Sequence, residues 1–447
     1  MKRLTFALTI FAIVLWTYSP ARAWSASGEQ TSGGGTTVVY PTGQFPADVN
    51  NVQAAVNLGG AVVLKATNAA NVFTPFNFGP AVEGSGTVFL HTDVRIKGET
   101  VAGRMTTILG GDTPFRSDEP VKTTIHKLYF DGPRMAAVLV LATDRFEFSQ
   151  SHVARVVPFL WYTEDGVDVY KAQGIWVDVA GTSPGTIVIE DNVFEDCGLG
   201  GAQLGYGLAI VSGESRVRIA RNIIRGANLA GIILIWPGAE TLIEDNFIVP
   251  GPGDIEPRFH GNAIHLLGAW NRVQNTPVII RNNEMRVEGP EAQGIFAFGD
   301  EVSNYKVQNA VIEKNRISIT NGLTGIGLWG EVWNSNIRNN RLRGDAEYAM
   351  LLGAGFFDPT EPSVSNVFAG NDIATFDASV ADVFFDTNTV NNVLKGHSGT
   401  VIDLGTGNRI TGTRINLLSH TEEQFRSDQR AMQRRPGLTA PANANHP

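Results

Sequence analysis

The chain has 447 residues, with 44 Asp and Glu against 35 Lys and Arg, and a formal net charge of −9 at neutral pH. That balance argues against nucleic acid as a partner and, more weakly, against strongly polyanionic substrates unless a metal or a local arginine patch intervenes. The single cysteine, Cys197, excludes an intramolecular disulfide and reads as a small buried hydrophobe.

In chain order, Lys2-Arg3, an apolar run from Leu4 to Trp16 and Ala21-Arg22-Ala23 form the three regions of an export signal, with cleavage expected after Ala23. Losing Lys2, Arg3 and Arg22 would take the net charge from −9 to −12 and predicts a secreted or periplasmic protein. Residues 24–47 read as an N-terminal extension. The stretch Asp48-Val-Asn-Asn-Val-Gln-Ala-Ala-Val56 predicts a short amphipathic helix, followed by Gly59-Gly60 and a strand over 61–64. The longest apolar run after the signal, Leu229 to Pro237, is too short to span a membrane.

From there a phrase recurs: an apolar residue, two mostly polar ones, Asn, any residue, then an apolar one. It falls at Asn192, Asn222, Asn246, Asn283, Asn315, Asn340 and Asn371, with steps of 30, 24, 37, 32, 25 and 31 residues. Unequal steps around a fixed phrase imply a constant structural turn with variable loops, that is, stacked coils. Strands stacked about 4.8 Å apart would let each Asn amide bond to the next. Ser151, Leu128 and His397 occupy the same place in looser copies of the phrase. A second phrase follows, as in Gly207-Leu-Ala-Ile-Val-Ser-Gly213, Gly294-Ile-Phe-Ala-Phe-Gly299, Gly325-Ile-Gly-Leu-Trp-Gly330 and Tyr348-Ala-Met-Leu-Leu-Gly353, each a short strand closed by glycine. Ser419-His-Thr-Glu422 is a capping box opening a polar helix to about Arg435, stopped by Pro436-Gly437.

On these two phrases the chain resembles the right-handed parallel β-helix, or pectin-lyase-like, superfamily, over roughly Val49 to Ile415. The resemblance implies an all-β solenoid over 48–418 with an N-terminal helix plugging its open end and a C-terminal helix and tail over 419–447. No enzyme family within it is matched. The Asp-Asp step of the polygalacturonase motif series is missing, Arg95-Ile-Lys97 lies in an early coil, and Asp358-Pro-Thr360 lacks the His of the Asp-Pro-His epimerases and lyases.

Substrates of enzymes with this fold lie across one sheet and its loops, so the outward residues of the glycine-bounded strands matter most. Alternation predicts outward rows Trp176, Ala209, Ile233, His265, Phe296, Gly327, Met350 and Asp178, Val211, Ile235, Leu267, Phe298, Trp329, Leu352. The rows are mostly apolar, which predicts covering loops or self-association into a homo-oligomer. Three groupings carry chemistry. Asp165 and Asp168, with Asp178 and Asp196, supply oxygen ligands suited to Ca²⁺, beside Lys171, which could remove a proton α to a uronate carboxylate. Asp254, Glu256, Arg258 and His260 lie on a long loop running into His265, a set suited to acid/base work on a glycosidic bond. Trp236, Trp270 and Trp333, with Trp176 and Trp329, offer flat rings on which sugars stack. The expected function is binding, and possibly lyase or hydrolase cleavage, of an extended acidic polysaccharide; the alternative is a non-catalytic structural or adhesive solenoid.

Overall fold

The computed structural model describes residues 35–164, 166–198, 202–251, 261–270, 277–299, 305–353 and 362–417. The expected export signal and C-terminal helix lie outside them.

The ladder asparagines organise everything else. Nδ2 of each donates to Oδ1 of the next, from Asn192 through Asn222, Asn246, Asn283, Asn315 and Asn340 to Asn371, at 2.9–3.0 Å. The backbone N–H of each donates to the same oxygen. A bend this tight requires a left-handed residue just before the amide: Asp191, Arg221, Asp245, Asn282, Lys314 and Asn339 all sit at φ 55–60°. That conformation costs about 1 kcal/mol for a residue bearing a Cβ, and the fully bonded amide offsets it.

Each bend joins two strands that lie on different faces of the coil. The first face carries strands such as Thr186–Glu190, Arg216–Ala220 and Thr241–Glu244 before the Asn, and the second carries Val193–Glu195, Ile223–Arg225 and Phe247–Val249 after it. The third face holds the glycine-bounded strands, among them Leu204–Val211, Ala230–Ile235, Asn262–Leu267 and Gln293–Gly299. Each of these strands pairs in parallel with its counterpart one coil along, and parallel crossovers of this kind turn right-handed. The chain is therefore a right-handed parallel β-helix.

One continuous core fills the coil. On the third face Ile175, Leu208, Ile232, Ile264, Ile295 and Ile326 stack inward in register and are fully buried. Glycine marks the corner before them because a side chain there would strike the core: a Cβ on Gly207 would lie 2.4 Å from Ile224. Met350 and Leu352 also point inward, paired with Ile326 and Leu328; Leu351 and Gly353 take the outward places. This corrects the expected rows by one residue. That coil has Ala349 at its corner where the preceding coil has Gly325, and a slip of one position exchanges the faces of a strand.

The helix at Ala47–Asn57 packs Val52, Ala55 and Val56 against the first coils. It is fixed by Asp48, a fully buried carboxylate that accepts from Thr42 N and Oγ1, Gly43 N and Asn77 N at 2.6–3.0 Å. Ahead of it, the strand Thr36–Val39 joins the first face beside Gly60–Leu64, in the stretch read from the sequence as an extension. A second, shorter ladder runs through Ser335, Asn366, Asn392 and Asn408 at the corner before the first face.

Candidate functional site

The outward side of the third face runs from Phe89, Arg116 and Leu139 through Trp176, Ala209, Ile233, His265 and Phe296. The row beside it runs Asp178, Val211, Ile235, Leu267, Phe298 and Trp329. Within the single chain Ala209, Ile233, Leu267, Phe298 and Trp329 are already only 5–9 % exposed, and they form a second apolar cluster separate from the coil interior.

The chemistry concentrates where a hairpin folds back onto this face. Strand Phe159–Glu164 runs antiparallel to the start of strand Val167–Asp178. It brings Trp161 over Trp176, ring centroids 5.6 Å apart and edge to face. The Lys171 ammonium lies between the two indoles, 4.2 Å from one centroid and 4.0 Å from the other. Burial pushes this lysine down to about 7, with Asp178 opposing the shift, and burial raises the Asp178 carboxylate above its ordinary range. Two strand positions on, the amide of Gln173 is fully buried with neither polar atom bonded among the described residues. Tyr206, opposite Gln173 on the next strand, is buried with its phenol raised well above the usual value. A lysine near 7 is a base at neutral pH, the two indoles are faces for a sugar or a cation, and a buried phenol stays protonated.

The other expected residues are distributed differently. His265 is enclosed against the Phe296 ring at 4.5 Å, has neither nitrogen bonded among the described residues, and is driven by burial down to about 3. It is neutral at physiological pH and too weak a base to draw protons there. Its expected companions Asp254, Glu256, Arg258 and His260 lie outside the described residues. So does Asp165. Among the described residues no three His, Cys, Asp or Glu side chains converge to hold a cation. Asp168 bonds Thr163 in the hairpin, at the opposite end of the 12-residue strand that finishes at Asp178, and Asp196 is exposed in a turn after the second face. The expected calcium cluster is therefore not assembled by Asp168, Asp178 and Asp196.

Among the tryptophans, Trp176 belongs to the lysine cradle. Trp329 is packed, its indole N–H donating to Gln293 at 3.1 Å, and Gly327 is what leaves room for that bond. Trp333 is half-buried, donates to the Pro362 carbonyl at 3.0 Å and lies under Lys306. Trp236 is half-buried. Trp270 pairs with Tyr305 through its backbone, and its side chain is outside the described residues. The sequence reading passed over Trp161 and Gln173. Its available signal was the Asp165-Gly166 turn after an aromatic run, a hairpin cue that aims Trp161 back at the strand carrying Lys171.

No protein-family model and no curated protein matches the chain. Among solved structures it is similar to the A-module of the mannuronan C-5 epimerase AlgE4 from Azotobacter vinelandii, at 12 % identity over 83 % of this chain and 95 % of that one, TM-score 0.40. It is similar to the alginate lyase AlyF-OU02 in complex with G6, at 14 % identity over 87 % of each chain, TM-score 0.42. A third similarity is to the DFA-IIIase of Arthrobacter chlorophenolicus A6 in complex with GF2, at 13 % identity over 88 % of this chain and 84 % of that one, TM-score 0.32.

Proposed function

We propose that this β-helix binds an extended acidic polysaccharide along the outward side of its third face and cleaves it by β-elimination, with Lys171 as the base. The observation that carries the reading is the Lys171 ammonium held between Trp161 and Trp176 with its pKa brought down to about 7. Once neutral, its nitrogen takes the proton from the carbon next to the uronate carboxylate. The carbon–oxygen bond one atom further breaks as the double bond forms, and the leaving oxygen takes a proton from water. Lysine then returns its proton to water. The indoles supply the stacking surface that holds the ring in place.

The test incubates the protein with a panel of uronic-acid and neutral polysaccharides, with calcium or with chelator, and follows unsaturated-product absorbance and reducing ends. Unsaturated product from one polymer, lost in Lys171→Met, supports the reading. Reducing ends without unsaturation would replace elimination by hydrolysis, and neither product nor retention on any polymer would overturn it.

A further inference from the structure

A cavity of about 300 Å³ lies at the N-terminal end of the same face, between the helix Ala47–Asn57 and the first coils. Its walls mix two kinds of surface. Phe45, Phe89 and Met135 are apolar, and Phe89 is 37 % exposed although its ring carries Arg116 on one contact and a parallel His91 on another. Thr113 and Arg116 are polar and incompletely used. The Thr113 hydroxyl is in a residue only 2 % exposed and has no hydrogen-bond partner among the described residues. Arg116 engages Asp118 through Nε alone, at 2.7 Å, which leaves its terminal nitrogens without a partner among those residues. The one carboxylate in the wall, Asp112, is taken by Arg134 at 2.7 Å and by the Gly84 N–H. A buried hydroxyl and a guanidinium edge left open beside an exposed ring form an acceptor-seeking site with a flat apolar floor.

The cavity is joined to Lys171 by contacts. Arg134, bonded to the wall residue Asp112, lies over the Phe159 ring; Phe159 meets Trp161, and Trp161 meets Trp176 and the lysine. Arg116 and Trp176 stand in one outward row, separated by Leu139. Two strand spacings place them about 10 Å apart along the coil axis, the reach of a short run of sugars.

We infer that this cavity is a distal subsite, which holds a second sugar ring of the polymer being processed at Lys171, through an oxygen acceptor on Arg116 and Thr113 and its face on Phe89. A uronate carboxylate is the strongest acceptor for that edge. The inference rests on the polysaccharide reading and gives it a direction: the chain runs along the coil axis, toward the helix-capped end.

The experiment compares disaccharides and octasaccharides of galacturonate, mannuronate and guluronate with the wild-type protein, Arg116→Gln and Thr113→Val, reading kcat and KM separately after thermal melts confirm folding. The expected result is that kcat/KM falls about tenfold more on the octasaccharide than on the disaccharide in Arg116→Gln, through KM, and about threefold more in Thr113→Val, which keeps the volume of the buried residue. If Arg116→Gln does not fold, Thr113→Val carries the comparison. An active wild type whose long-to-short ratio is unmoved in the folded variants overturns the distal subsite and leaves the Lys171 site standing. A wild type inactive on every oligomer and polymer overturns both.

Discussion

Polar side chains are buried in two places in this molecule, and they are treated in opposite ways. At the asparagine bend each amide is enclosed and fully used: Asn246 donates to Ile219 and Asn283 and receives both N–H groups of Asn222. On the outward side of the third face Gln173 and His265 are enclosed with nothing to bond among the described residues, and Lys171 gives up much of its affinity for a proton. An unmet buried polar group costs roughly 1–3 kcal/mol. The first arrangement stabilises the coil; the second spends stability, and in Lys171 the result is a base suited to neutral pH.

That contrast is most exposed to Asn246→Ala. Removing an amide that makes four bonds should cost on the order of 4 kcal/mol, read as a fall in the urea midpoint; a loss under about 1 kcal/mol would break the equation of the ladder with stability. Lys171→Met should do the reverse, lowering activity about a hundredfold or more while leaving the melting temperature level or higher, since the lost group was a desolvated cation. A melting temperature that drops with activity intact would reassign the lysine to packing. The pH profile sharpens this. Activity should rise through a limb near 7 as Lys171 deprotonates. The folded protein then holds fewer protons than the unfolded chain between about 7 and the ordinary lysine value of 10.5, so the lysine's stability penalty is full below 7 and fades as pH climbs toward 10.5.

The smallest effects come from two histidines. His265→Phe should stabilise by about 0.5–1 kcal/mol and leave turnover within about twofold. Because burial holds His265 down to about 3 against 6.5, its contribution is complete above 6.5 and lost as pH falls toward 3, so the variant should also resist acid better. His397 stands two residues past the Ala369–Lys395 pair, as Asn371 does, buried and unbonded among the described residues, after Gly396 at φ 72°. His397→Asn should extend the ladder and stabilise by about 1 kcal/mol; a destabilised variant would show that ladder register alone does not make a rung.

The ladder was legible because one chemical requirement, an amide that fits a tight bend and bonds along the stack, keeps one residue type at every copy. Ser151 proved readable in the same way, bonding Leu128 and Asn192 on its two sides. The second ladder left a fainter trace: Val364-Ser-Asn366-Val and Val390-Asn-Asn392-Val share a phrase that was too short a series to stand out. Where a corner glycine was replaced by Ala349, phase was lost and Met350 and Leu352 were put on the wrong face. The lysine cradle was half readable. Lys171 and Trp176 sit on one strand and were both singled out, but Trp161 reaches them only after the hairpin closes, and burial, which sets the lysine's pKa, is written in neighbours remote along the chain.

The asparagine chain also has a direction. From Asn192 to Asn340 each side-chain amide gives one Nδ2 hydrogen to the next Asn, toward the C-terminal end of the stack, and the other to a main-chain carbonyl of the preceding coil, and from Asn222 onward its Oδ1 takes hydrogens from the Asn behind it. Peeling a coil from the N-terminal side would strand the Oδ1 and one Nδ2 hydrogen of the newly terminal Asn, whereas peeling from the C-terminal side would strand an Nδ2 hydrogen and also its backbone N–H. Orphaned N–H groups are the less tolerated of the two. Unzipping of this solenoid is therefore not symmetric: a crack opening at its far end meets resistance at every rung, and one entering from the capped end, once past the helix, meets less.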